Sequence, residues 1–119
     1  MERSAALVLY ERLVETNPDV ERKGDTMPYT SLNGHMICVL GKDNLLCLRL
    51  PADARAAFIK TYKTKIAEQY GHVMPEYVVV PEALLVKTTE LKKHFAASVE
   101  YVAAMKPKAT TKGKKAKGR

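Results

Sequence analysis

The sequence predicts a single α+β domain followed by a cationic tail. The domain is expected to be one antiparallel sheet with helices packed mainly on one face. Three observations lead there. An Asn33-Gly34 pair with alternating residues on both sides marks a β-hairpin. Apolar residues recur at helical spacing at both ends of the body. All of the formal net charge of +7 falls in residues 106–119, KPKATTKGKKAKGR, whereas residues 1–105 hold thirteen Lys/Arg against thirteen Asp/Glu.

The first helix is expected over residues 2–15, with Ala6, Leu9, Tyr10, Leu13 and Val14 on one stripe before Asn17-Pro18 stops it. Strands follow at 27–32 and 35–40, joined by the Asn33-Gly34 turn, where positive φ at both central positions costs little. Gly41-Lys42-Asp43-Asn44 turns the chain into a third strand at 45–50. Pro28 cannot donate to a ladder, so the first strand is expected at a sheet edge. Pro51 opens a second helix running to about residue 62, with Ala54, Ala57, Phe58 and Tyr62 inward. A short strand is expected at 67–70, closed by Gly71, and a β-branched one at 76–80. Residues 81–85 read as a single helical turn. The last helix, 88–106, starts at a Thr cap and carries Leu91, Phe95, Val99, Val102 and Met105 inward until Pro107 bars it. The order is α-β-β-β-α-β-β-α.

Short turns fix the register, and the register fixes the faces. One face collects Thr30, Leu32, Ile37, Val39, Leu46, Leu48 and Leu50 and is expected to be the core. The other collects Met27, Tyr29, Ser31, Met36, Cys38, Leu40, Leu45, Cys47 and Arg49. Met36 then faces Ser31, Ile37 faces Thr30, and Cys38 faces Cys47. A three-residue loop with a bulge at the second turn would break that last pairing.

The apolar fraction of 46% suits a globular body of one domain. No run approaches the ~18 apolar residues of a membrane span, and the N-terminal stretch has no signal-peptide pattern. A cytoplasmic address is expected, or a nuclear one in a eukaryote. Two cysteines in such a chain are expected to be reduced thiols.

The element order, the meander NGHMICVL and NLLCLRLP, and the segment EYVVVPEALLVKTTELKKHFAASVEYVAAM resemble the TfoX N-terminal-domain family. The join Tyr77-x-x-Val80-Pro81, followed by Leu84-Leu85 and Leu91, is the most specific piece. The resemblance covers residues 1–105 and implies a small α+β domain similar to secretion chaperones, linked to competence regulation and not to catalysis. Two features depart from the family. Met27-Pro28-Tyr29-Thr30-Ser31 replaces its glycine-rich opening of the meander, and a Lys-rich tail stands where longer regulators carry a second domain.

The body holds little recognisable chemistry. His35, His72, His94, Cys38 and Cys47 have no CxxC, HxxxH or HExxH spacing, so neither a metal nor another cofactor is expected. Cys38 and Cys47 read as two half-buried small residues, or alternatively as a redox pair. No GxSxG elbow or phosphate loop is present, and the chain reads as a non-enzyme. Tyr29, Ser31, Met36 and Arg49 are the candidate ligand or partner face, unless the chain's own segments or a second copy in a homodimer cover it. Tyr62, Tyr70, Tyr77 and Tyr101 read as core tyrosines with hydroxyls at the rim.

The tail cannot bury enough surface to offset the entropy of ordering, so disorder is expected. Lys106, Lys108, Lys112, Lys114, Lys115, Lys117 and Arg119 are the candidate phosphate contacts. Six Lys to one Arg favours diffuse attraction over base reading. A solubilising tail and an anionic-membrane or nuclear-import signal are the competing readings. The expected function is a non-enzymatic regulatory module acting through an unidentified protein partner or nucleic acid. The alternative is a small-molecule-binding or redox-responsive domain using Tyr29, Cys38, Cys47 and Arg49.

Overall fold

The computed structural model describes residues 1–25, 27–69 and 71–107. Within them the order is α1 (Arg3–Val14), β1 (Glu21–Lys23), β2 (Tyr29–Leu32), β3 (His35–Leu40), β4 (Leu46–Arg49), α2 (Ala52–Tyr62), β5 (Ile66–Gln69), β6 (His72–Val80), α3 (Glu82–Leu85) and α4 (Thr88–Ala103). The strands form one antiparallel sheet in the order β1-β2-β3-β4-β6-β5, and the class is α+β.

All four described helices pack on one side of this sheet. Ala6, Tyr10 and Leu13 of α1, Phe58 of α2, Leu84 and Leu85 of α3, and Leu91, Phe95, Val99 and Val102 of α4 share one buried cluster. From the sheet, Ile37, Cys38, Leu40, Leu46, Leu48, Leu50, Val78 and Val80 complete it. The helices form where the apolar stripes predict them. Pro51, extended at the N-cap position, starts α2, and Lys63 ends it in the left-handed region at φ 53. Two expectations inside the helices fail. Ala57 is exposed, because Phe58 alone of α2 is buried. Thr88 is the first helical residue rather than the cap: Lys87 holds the N-cap position and makes no side-chain capping bond.

Pro28 lies outside the sheet, and the edge belongs to a strand that the sequence pattern does not reveal. β1 consists of Glu21, Arg22 and Lys23, paired with Ser31, Thr30 and Tyr29. Three consecutive charges offer no alternation to read, yet they suit an edge that must not recruit another strand.

The Asn33-Gly34 turn forms as expected, with φ of 56 and 80. Leu32 pairs with His35 and Ser31 with Met36. Beyond that the register slips by one, since Thr30 faces Cys38 and Ile37 is the extra residue of a β-bulge. Ile37 and Cys38 therefore both turn into the main core, correcting the expected Ile37–Thr30 pair. The second turn is a three-residue loop, Lys42-Asp43-Asn44, with Asn44 at φ 67 and Gly41 N–H bonded to the Leu45 carbonyl at 3.0 Å. It pairs Leu40 with Leu46, Val39 with Cys47 and Cys38 with Leu48. Val39 thus leaves the helix-covered face, while Cys38 and Leu40 join it. β6 is also longer than the β-branched run suggests, extending back to His72. Tyr70, the expected end of the short strand, lies outside the described residues.

Candidate functional site

The sheet face away from the helices carries its own small cluster. Val39, Cys47, Ala67 and Val79 are buried there beneath Met27, Tyr29, Met36, Met74 and Tyr77, which are partly exposed. Of the candidate face, Tyr29 and Met36 lie in this roof, and Ser31 is buried with its hydroxyl unpartnered. The Arg49 head is already engaged. Its Nε donates to Glu76 Oε1 at 2.8 Å, its Nη1 to the Met36 carbonyl at 3.3 Å, and the guanidinium lies 5.8 Å from the Tyr77 ring centre. Tyr101 Oη also donates to Glu76 Oε1, at 3.2 Å. The Arg49 hydrogen bond is the main force holding the Glu76 carboxyl below its usual range. Arg49 therefore braces β4 against β6 and does not present an available cation.

The cysteines separate. Cys38 is in the helix-side core, with Sγ 2.9 Å from Thr30 Oγ1, and Cys47 is in the opposite cluster, 3.6 Å from Gln69 Nε2. Both are free, and burial pushes their thiols up to about 12 and about 11. The directly opposed geometry on which the redox pair rested is absent, and near neutrality both are inert thiols. Among the described residues no group of His, Cys, Asp and Glu is arranged to hold a metal ion.

A different constellation sits where the end of α2 meets the first turns of α4. Tyr62 Oη donates to Glu90 Oε2 at 2.6 Å and lies 2.9 Å from His94 Nε2. The single phenolic proton goes to the carboxylate, so the imidazole must donate from Nε2. Phe58 backs the pair: its ring centre is 4.7 Å from that of Tyr62 and 5.0 Å edge-on from that of His94. Burial holds the His94 imidazole below its ordinary value, and the bond to Glu90 pushes the Tyr62 phenol up to about 12. These side chains form one wall of an open groove of about 620 Å³, completed by Lys87, Thr89 and Lys93. A smaller hollow of about 130 Å³ adjoins it, between Tyr62, Lys87 and Glu90 on one side and Pro81, Ala83 and Leu84 on the other.

The sequence pattern puts Tyr62 in the core and offers His94 only as a candidate metal ligand. Glu90 and His94 are four apart, so a helix aligns them on one face, and that spacing was the available signal. The third member comes from the packing of a distant helix.

The root of the tail is placed as well. His35 Nε2 donates to the Lys106 carbonyl at 2.8 Å, so the chain leaves α4 beside the first hairpin turn. Lys106 is exposed, while Lys108, Lys112, Lys114, Lys115, Lys117 and Arg119 lie outside the described residues. No helix among the described residues is long and apolar enough to cross a membrane. Compared with family models, curated proteins and solved structures, the chain matches none.

Proposed function

We propose that this chain is a non-catalytic, TfoX-N-like α+β module that works by contact and is drawn to nucleic acid by its basic tail. The carrying observation is the division of charge. The body, 1–105, is balanced at thirteen against thirteen, and the seven cations of 106–119 face no acid in their own segment. Lysine-rich attraction of this kind neutralises phosphates without reading bases. The engagement of Arg49 by Glu76 supports the same reading, because the guanidinium on the helix-free face is already committed to a carboxylate. A regulatory role and a cytoplasmic or nuclear address belong to this proposal, as does a protein partner on the face that holds Tyr29 and Met36.

The test is binding of two unrelated DNA duplexes by the full chain and by a variant with Lys114→Gln and Lys115→Gln. The proposal expects equal affinity for both sequences and weaker binding of both by the variant. A strong preference for one duplex, or an unchanged variant, would contradict it.

A further inference from the structure

The groove between the end of α2 and the start of α4 has two lysines on its lining, Lys87 and Lys93. The two segments that meet there, 60–65 and 87–94, carry Lys60, Lys63, Lys65, Lys87, Lys92 and Lys93 against the single acid Glu90. None of these lysines closes an ion pair among the described residues, whereas Met1, Arg22, Lys23 and Arg49 each do. The one carboxylate on the groove wall is tied up by Tyr62 at 2.6 Å. In a body whose total charge is balanced, this gathering leaves an excess of positive charge at one end of α4.

We propose that this groove binds the phosphate group of a phosphate-bearing ligand, independently of the tail. Lys87, at the N-cap of α4, and Lys93, in its second turn, supply the charge, and Thr89 lies between them in sequence and on the same groove. An ammonium group is a strong point donor to phosphate and needs no planar partner. The Tyr62–Glu90–His94 set has a positioning part. It pins α2 to α4, so the lysines project from a fixed wall, and the Phe58 ring packed behind it keeps that wall in place. At about 620 Å³ the opening exceeds what a lone phosphate fills and falls within the range of small-ligand sites. The phosphate can come from a small monoester or from a strand end, and the two sources are separable.

The experiment uses the full chain, isotopically labelled, with amide and histidine-ring NMR signals followed during titration. The probes are inorganic phosphate, a nucleoside monophosphate and a ten-nucleotide oligothymidylate with a 5′-phosphate, each at matched ionic strength. The proposal expects saturable shifts at Thr89 and at the His94 ring. The double variant Lys87→Gln, Lys93→Gln should weaken them about tenfold, by the loss of two charged contacts. The variant Lys114→Gln, Lys115→Gln should leave the monophosphate titration unchanged, which separates this site from the tail. Saturation by the monophosphate identifies a small ligand, and saturation by the oligonucleotide alone identifies a strand end; either supports the site. Shifts that sodium chloride reproduces, or equal affinity in the Lys87/Lys93 double variant with its methyl spectrum unchanged, would overturn it.

Discussion

Cys38 is fully buried and shares its pocket with the hydroxyls of Thr30 and Tyr10, two groups that also leave water on folding. Burial raises the Cys38 thiol to about 12 and the Cys47 thiol to about 11, so the thiolate that alkylating agents need is scarce at pH 7.5. In native buffer, iodoacetamide should therefore modify both only as fast as the protein opens, and mass spectrometry should find no bond between them. Fast labelling of Cys38, or a Cys38–Cys47 disulfide, would contradict the register. His94 makes a second prediction at this scale. Its imidazole is held low, first by burial and then by Lys93, against the opposing pull of Glu90. The unfolded chain then takes up the proton more readily than the folded one. Stability from this residue is in full above the ordinary value of 6.5 and is lost as pH falls through the lower folded value. Urea midpoints measured from pH 8 to pH 5 should fall less steeply for His94→Gln, whose amide can still donate to Tyr62. Parallel pH profiles for both proteins would remove His94 from the account.

At the scale of elements, the sheet depends on two short turns and one bulge. Leu48 of β4 and Phe95 of α4 are both fully buried in the helix-side core. Either alanine substitution should cost about 2–5 kcal/mol in denaturant unfolding, and a cost below about 1 kcal/mol would show a poorly packed core. Lys63 gives a test of opposite sign. It is exposed and left-handed at φ 53, where a side chain costs about 1 kcal/mol, so Lys63→Gly should stabilise by about that amount. Much of this level was legible in the chain. The Asn33-Gly34 turn, the apolar stripes of α1 and α4, and the β-branched end of β6 each carry a local signal that tertiary packing did not overrule. The bulge at Ile37 carried none, because it belongs to the joint fit of β2, β3 and the helices rather than to any turn residue. One inserted position was enough to send Cys38 and Val39 to the opposite faces. β1 was illegible for a related reason: three charges have no pattern until a neighbouring strand gives them one. The Tyr62–Glu90–His94 set was half legible through its helical spacing, and its third member required the docking of α2.

For the whole molecule, the central relation is between a balanced, helix-backed body and a tail that concentrates charge. Removing residues 108–119 takes away no described packing, so the melting temperature should stay within about a degree or two of the full chain's. The binding behaviour should change far more. Contact of about four to six tail cations with phosphates predicts a log K against log salt slope of roughly −4 to −5 on duplex DNA. Lys87 and Lys93, on the α2–α4 groove, can supply at most about two such contacts. The most direct measurement is a fluorescence-anisotropy titration of one duplex at several salt concentrations, with the full chain and with a chain ending at Pro107. The account predicts that truncation weakens binding by more than about tenfold and leaves a slope no steeper than about −2, since each phosphate contact contributes about −0.9. Equal affinity and equal slope for the two chains would contradict it and place the phosphate-binding surface on the body.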